Sequence, residues 1–333
     1  MKIIVPMAGW GSRLRPHTLT VPKPMLKVAG KSIVERLISN IAGTIAAPIE
    51  SISFIIREDF GKKIEAELHE IAKKYNTTGH ICYQSEPLGT AHAIYCAADS
   101  LDGEVIVGFA DTMFQADFKI DNTNDAIIWV KEIEDPSAFG VVSLDDKGLI
   151  NGFVEKPKEY VSNLAIIGIY YFKDGKQLRA DIKEIIDNNI TDKGEFQLTT
   201  VLENMRLAQK KMKPGTVSQW LDCGNKNATV DSNREVLKAT GNQVHASVTL
   251  ENATIIEPCF IDENTIIRNA IVGPYVSIGK NADVSNSVIS DTIIQDTTKI
   301  ENYILSNTMI GSNALLVGRS QDLSVGDYNQ ILS

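Results

Sequence analysis

The sequence predicts an α/β protein: a mixed, mainly parallel sheet flanked by helices, followed by a short parallel β-helix. Three observations carry that expectation. Short β-branched runs alternate with helical patterns through the first half of the chain, the signature of a sheet covered by helices. A stretch of turn-punctuated strands follows, and the C-terminal part repeats branched apolar residues every six positions.

In the first half, strands are expected at Lys2–Pro6, Ile52–Ile56, His80–Gln84, Glu104–Phe109 and Ala126–Val130. Helical patterns lie at Ser32–Asn40, Phe60–Tyr75 and Thr90–Ala98. Within Phe60–Tyr75, Ile64, Leu68 and Ile71 recur at spacings of four and three, which makes one apolar stripe. From Phe139 onward, strands are expected at Gly140–Leu144, Leu149–Glu155 and Leu164–Phe172, with a hairpin turn at Asp145-Asp146-Lys147-Gly148. Helices return at Gln177–Asn188, Gln197–Gln209 and Asn225–Lys238. The tail then runs Thr249, Ile255, Ile261, Ile267, Val272, Ile278, Val284, Ile289, Ile294, Ile300, Leu305, Ile310 and Leu316. A step of six with occasional fives fits neither a helix nor a hairpin, and marks the hexapeptide coil of a parallel β-helix. The expected division is therefore a first domain over 1–240 and a repeat domain over 241–333.

With 333 residues and a net charge of −9, the chain argues against nucleic-acid binding through a basic surface. No apolar run approaches the roughly 20 residues of a membrane span. The N-terminal apolar stretch is too short for a signal peptide. The four scattered cysteines, Cys82, Cys96, Cys223 and Cys259, form no Cys-x-x-Cys pair. A cytoplasmic protein is expected. One local imbalance stands out against the acidic total: no Asp or Glu precedes Glu35, whereas Lys2, Arg13, Arg15, Lys23, Lys27 and Lys31 are all basic.

That imbalance surrounds Val5-Pro6-Met7-Ala8-Gly9-Trp10-Gly11-Ser12-Arg13-Leu14-Arg15. Ligands of parallel sheets bind at the carboxyl ends of strands, and this loop follows the first strand. Small residues at Ala8, Gly9 and Gly11 let backbone N–H groups approach an anion, and Arg13 and Arg15 add charge suited to phosphate. A Gly-x-Gly pair alone is equally compatible with a tight turn. The dinucleotide fingerprint is excluded because Gly11 is followed by Ser12-Arg13-Leu14, and a P-loop is excluded because Met25 occupies the place of its leading glycine. Next, Pro22-Lys23-Pro24 presents one lysine on a stretch expected to be stiff and extended.

Gly9-x-Gly11-Ser12-Arg13-Leu14 followed by Pro22-Lys23-Pro24 resembles the signature of the sugar-phosphate nucleotidylyltransferases. That family includes glucose-1-phosphate thymidylyltransferases, UTP–glucose-1-phosphate uridylyltransferases and mannose-1-phosphate guanylyltransferases. Further matches follow in order through residue 240: Gln84-Ser85-Glu86-Pro87-Leu88-Gly89-Thr90-Ala91, Ala110-Asp111-Thr112, Phe139-Gly140-Val141, Phe153-Val154-Glu155-Lys156-Pro157, Gly168 and Trp220-Leu221-Asp222-Cys223-Gly224. The sequence departs from the family pattern at Pro6-Met7 in the opening, at the bulky Trp10, at Ala110 before the first Asp and at Thr200.

The resemblance implies a Rossmann-like sheet, a left-handed β-helix in the tail, and Mg²⁺-dependent transfer of a nucleoside monophosphate from an NTP to a sugar 1-phosphate. It implies catalytic roles for Arg13, Lys23 and Lys156, and nucleotide contacts from Ala8, Gly9, Gly11, Ser12, Gln84, Pro87, Gly89 and Thr90. Gly140, Glu155, Lys156 and Gly168 would hold the sugar phosphate, and Asp111 and Asp222 the metal. Because Glu155 and Lys156 are adjacent, a regular strand would point them to opposite faces, so one of them belongs at a strand end or bulge. The Pro6-Met7-Ala8-Gly9 opening and Gln84 favour glucose-1-phosphate with dTTP or UTP; GTP with mannose-1-phosphate is the alternative. A homo-oligomer is expected. A non-catalytic sugar-nucleotide-binding subunit is the reading from another class, opposed by the presence of Arg13, Lys23, Asp111, Lys156 and Asp222. An acyltransferase tail is opposed by the lack of any histidine after His245.

Overall fold

The computed structural model describes residues 1–45, 47–115 and 120–319. These fall into two compact units: Met1–Leu26 with Lys31–Asn225, and Lys27–Gly30 with Lys226–Ser333. The last stretch of the repeat region, 320–333, lies outside the described residues.

The first unit is built on a nine-stranded mixed sheet. Its main path runs Ile150–Glu155, Gly140–Leu144, Leu164–Phe172, Val105–Gly108, Lys2–Pro6, Ser51–Ile56, Thr78–Tyr83. Lys2–Pro6 is parallel to both neighbours, Ser51–Ile56 and Val105–Gly108, and Ser51–Ile56 is parallel to Thr78–Tyr83. Residues 52–56 are apart from Ser53 all apolar, and the whole Ser51–Ile56 strand is buried, as a parallel strand covered on both faces should be. The chain thus leaves Lys2–Pro6 with partners on either side, which opens a crevice at its carboxyl end. Ile64, Leu68, Ile71 and Ala72 form the buried side of the Gly61–Lys74 helix. Ser32 caps the Ile33–Thr44 helix through a 3.2 Å bond from the Glu35 amide to its hydroxyl, satisfying one of the orphan donors of the first turn.

Two strands differ from expectation. Ala126–Glu132 runs antiparallel to Leu164–Phe172 and parallel only to Met212–Thr216. Met212–Thr216 has no strand signal, since Pro214 and Gly215 read as breakers. It pairs with a single strand, the edge position where proline costs no ladder bond. A separate two-stranded antiparallel sheet joins Thr112–Gln115 to Gln219–Asp222, with Asp222 opposite Thr112.

In the second unit, three stacks of short parallel strands follow the Lys226–Thr240 helix. Thr249 pairs with Ile266 and Ile266 with Asp283, steps of 17 residues; Asp283 pairs with Lys299 and Lys299 with Leu315, steps of 16. The sixes and fives of the sequence are the sides of these coils. Ile261, Ile267, Val272, Ile278, Val284, Ile289, Ile294 and Ile300 fill the interior, each at most 2% exposed. The first expected repeat residue, Thr249, faces outward. Leu250 is the one in register with Ile267, and on the terminal coil it stays half exposed. At corners, Asn252, Asn269 and Asn286 adopt positive φ, a region asparagine tolerates. Their side chains stack, Asn252 donating to Asn269 at 2.9 Å and Asn269 to Asn286 at 3.3 Å.

Candidate active site

The loop after the first strand is a tied cradle. Gly11 has φ +79°, and a Cβ there would stand 2.6 Å from the Lys23 Cβ, so only glycine allows this approach. The Thr18 hydroxyl donates to the Gly11 carbonyl at 2.8 Å, and the Lys23 amide donates to the Trp10 carbonyl at 3.3 Å. Lys23 is not on an extended stretch: Lys23–Met25 is a 3-10 turn, which the fixed φ of Pro24 suits in the first turn. The lysine is 7% exposed, and its ammonium lies 3.6 Å from the Asp111 carboxylate. Trp10 packs edge-on against Phe60, ring centroids 5.1 Å apart.

Two cavities among the described residues of this unit take in most of the expected residues. One, ≈ 380 Å³, is lined by Ala8, Gly9, Gly11, Gln84, Pro87 and Gly89, together with Lys23. The other, ≈ 260 Å³, is lined by Gly140, Glu155, Gly168 and Asp222. Arg13, Thr90, Phe109 and Asp111 line both. Of the expected site residues, only Ser12 and Lys156 lie outside both linings.

Each wall has a local cause. Gly89 has φ +117°, and a Cβ there would meet the Phe196 carbonyl at 2.5 Å. The Phe196 amide in turn donates to the Leu88 carbonyl at 2.8 Å. The Thr90 hydroxyl donates to Gln197 Oε1 at 3.0 Å and accepts from the Leu198 amide at 2.8 Å. The Gln84 amide nitrogen lies 3.3 Å from both the Gly89 carbonyl oxygen and His92 Nδ1. In the second cavity, the Ile150–Glu155 strand stops at Glu155, and Lys156 turns out of it with φ +46°. That break frees Lys156 from the alternation of the strand. The Lys156 ammonium stands 3.9 Å from the Glu155 carboxylate. A Cβ at Gly140 would lie 2.9 Å from Glu155 Oε2, so the glycine makes room for the carboxylate. Desolvation holds the Glu155 pKa above the usual carboxylate value, against the pull of Lys156. Gly168, at φ +84°, accepts a 2.9 Å bond from the Phe109 amide and sits in a register shift of its strand. Phe139 and Trp220 meet edge-to-face at 4.9 Å on the same wall.

Asp111 and Asp222 come from distant sequence but flank one two-stranded sheet: Asp222 pairs with Thr112, the residue after Asp111. Both are exposed at the cavity surface. Asp222 Oδ1 accepts from the Gly224 amide at 2.9 Å, shaping the turn that follows. Two carboxylates offering hard oxygen donors suit Mg²⁺, which takes one or two carboxylates plus substrate phosphates and water. Among the described residues, no cluster of three or more His, Cys, Asp or Glu could hold a metal by itself. The donor set therefore fits a cation completed by substrate oxygens.

Sequence reasoning missed Phe109, Tyr170, Glu195, Gln197 and Thr199, all of which line one or both cavities. The only local signal was the polar stretch Glu195-Phe196-Gln197-Leu198-Thr199 ahead of a helix. Thr199 rather than Thr200 faces the cavity. No helix among the described residues is long and apolar enough to cross a membrane.

Residues 2–239 match the family described as Nucleotidyl transferase. The chain is 25% identical over 363 aligned positions to a glucose-1-phosphate thymidylyltransferase of Streptomyces antibioticus, covering 99% of each. It is 29% identical to the bifunctional protein GlmU of Methanocaldococcus jannaschii, covering 94% of this chain and 78% of that one. A nucleoside-diphosphate-sugar pyrophosphorylase from Vibrio cholerae RC9 shares the fold, with TM-score 0.61 at 18% identity over 70% of this chain and 99% of that one. With more than two thirds of its length matched, the chain belongs to the nucleotidyl transferase family.

Proposed function

We propose that the protein transfers a nucleoside monophosphate from an NTP to a sugar 1-phosphate, releasing pyrophosphate, with glucose-1-phosphate and dTTP or UTP as the substrates. The observation that carries this reading is the pair of cavities meeting at Arg13 and Asp111. A base and ribose fit the cavity of Gly9, Gln84 and Gly89; a sugar fits the one of Gly140, Glu155 and Gly168. The reacting phosphates then fall at the junction.

The reaction needs no covalent intermediate. A sugar phosphate oxygen, already ionised near neutral pH, attacks the α-phosphorus in line with the departing pyrophosphate. The obstacle is repulsion between two anions. Arg13 reaches the junction from the loop and stabilises charge on the α-phosphate and leaving group. Buried Lys23 supplies a second cation, held close by Asp111. Lys156 draws the sugar phosphate towards the junction, and Glu155 accepts hydrogen bonds from sugar hydroxyls. Bound at Asp111 and Asp222, Mg²⁺ would neutralise phosphate oxygens and favour in-line geometry. The similarity to a glucose-1-phosphate thymidylyltransferase supports the substrate pair.

The test is pyrophosphate release across a grid of sugar 1-phosphates and nucleotides with Mg²⁺. Release with glucose-1-phosphate and dTTP or UTP is expected. A maximum with mannose-1-phosphate and GTP would replace the substrate pair, and no release anywhere would favour a regulatory binding subunit. The sugar side has its own test. Gly140→Ala pushes a methyl against Glu155 Oε2, so the sugar-phosphate KM should rise about tenfold, the value of one good hydrogen bond to a charged group. The nucleotide KM should stay within about twofold, because the other cavity keeps its own hydrogen bonds. An unchanged sugar KM would remove Glu155 from sugar binding.

A further inference from the structure

We infer that His92 sets the hydrogen-bond polarity of Gln84 and thereby selects an NTP whose base carries a ring imide N–H, as uracil, thymine and guanine do. This rests on the reading that the Gln84 cavity receives the nucleobase.

A glutamine amide can face a ligand with either its oxygen or its NH₂ group, and the choice follows from the surrounding hydrogen bonds. Here the choice is constrained twice. The Gly89 carbonyl, 3.3 Å from the amide, can only accept, so it favours NH₂ as the group facing it. That carbonyl also receives the Ala93 amide at 3.0 Å, which holds it in the first turn of the Thr90–Tyr95 helix. The second amide hydrogen has its own acceptor, His92 Nδ1, also at 3.3 Å. Both donors of Gln84 are then engaged, and the oxygen is left as the group it can offer. Gln84 is 8% exposed and lines the nucleotide cavity.

His92 adds the second bond that holds this orientation. The Gly89 bond is long at 3.3 Å and its carbonyl is shared with the Ala93 amide, so without His92 the flip of the whole amide costs less and its NH₂ can face the ligand. The imidazole accepts at Nδ1 only when neutral with its proton on Nε2. Burial lowers the His92 pKa, opposed by Glu86, so the neutral ring is favoured at pH 7. An acceptor-only Gln84 pairs with a donor at the ring position of the base edge. Uracil, thymine and guanine have an N–H there, whereas cytosine and adenine carry a bare ring nitrogen that would face the Gln84 oxygen, lone pair to lone pair. Glutamine alone, able to flip, would not make that distinction. His92 lies outside the cavity lining, so it is a positioning residue acting through Gln84.

The experiment compares kcat/KM for UTP, dTTP and GTP with that for CTP and ATP in the wild type, His92→Phe and His92→Asn. The Phe variant fills the space without an acceptor; Asn places an amide oxygen near the position of Nδ1. Because each ratio is taken on one enzyme sample, it is independent of how much of a variant folds. For His92→Phe, the preference for imide bases should fall about tenfold, the worth of one oriented hydrogen bond, through KM more than kcat. His92→Asn should restore most of it. A preference unchanged in His92→Phe, or a uniform loss for all nucleotides, would overturn the inference while leaving the nucleotide reading intact. Calorimetry on the wild type separates the other failure: no saturable binding of any of the five NTPs with Mg²⁺ would remove the nucleobase reading and this inference with it.

Discussion

Arg13→Ala should lower kcat by about 10²–10³-fold, the usual loss when one preorganised donor to developing charge is removed. Arg13 is among the few side chains lining both cavities, so its guanidinium can serve the phosphate that changes hands, whichever substrate brings it. It projects from the short turn Ser12–Leu14, where Leu14 is the buried anchor and Arg13 is exposed. Truncating an exposed side chain away from the core should change stability by no more than about 0.5 kcal/mol. Loss of turnover with an unaltered melting temperature is the expected pair of results. Steady-state kinetics beside a thermal melt measure both, and wild-type kcat in the variant would eliminate Arg13 from the chemistry.

The second large effect concerns the acidic side of the junction. Asp222→Asn should reduce activity at least about 100-fold at low Mg²⁺, since one of the two carboxylates proposed to hold the cation loses its charge. Asparagine is preferred to alanine for a structural reason. Asp222 Oδ1 accepts the Gly224 amide, and the amide oxygen of asparagine can keep that turn closed. The defect should shrink as Mg²⁺ is raised, which a mere folding defect would not do. Activity equal to wild type across a Mg²⁺ titration would sink the metal role. Lys23 modulates the other carboxylate: at 3.6 Å from Asp111 it balances that charge when no cation is near.

Much of the candidate site's layout was legible in the sequence because its parts depend on local chemistry. Gly11 and Gly89 announce positions where a side chain has no room. Arg13 and Lys23 form a basic island in an acidic chain, and the six-residue period of the tail survives a dozen repetitions. Even the awkward neighbours Glu155 and Lys156 demanded a strand end, and the left-handed turn at Lys156 provides it. Less legible were features created by contact between distant segments. Thr90 appeared in sequence as a helix start, yet its hydroxyl is engaged by Gln197 and Leu198. Thr249 seemed to open the repeat because a terminal coil exposes its inward position, so apolarity there marks the register weakly.

By itself the sequence determined the mixed α/β layering, the coil of the tail and the tight glycine-rich loop after the first strand, because periodicity, glycine and charge act within a few residues. Only the tertiary structure decided how the parts meet. A two-stranded sheet brings Asp111 and Asp222 together across more than a hundred residues. The carbonyl of Gly89 and the ring of His92 choose which face Gln84 offers. The reason is physical: a hydrogen bond's partner depends on distance in space, and spacing along the chain carries no record of it until the sheet has formed.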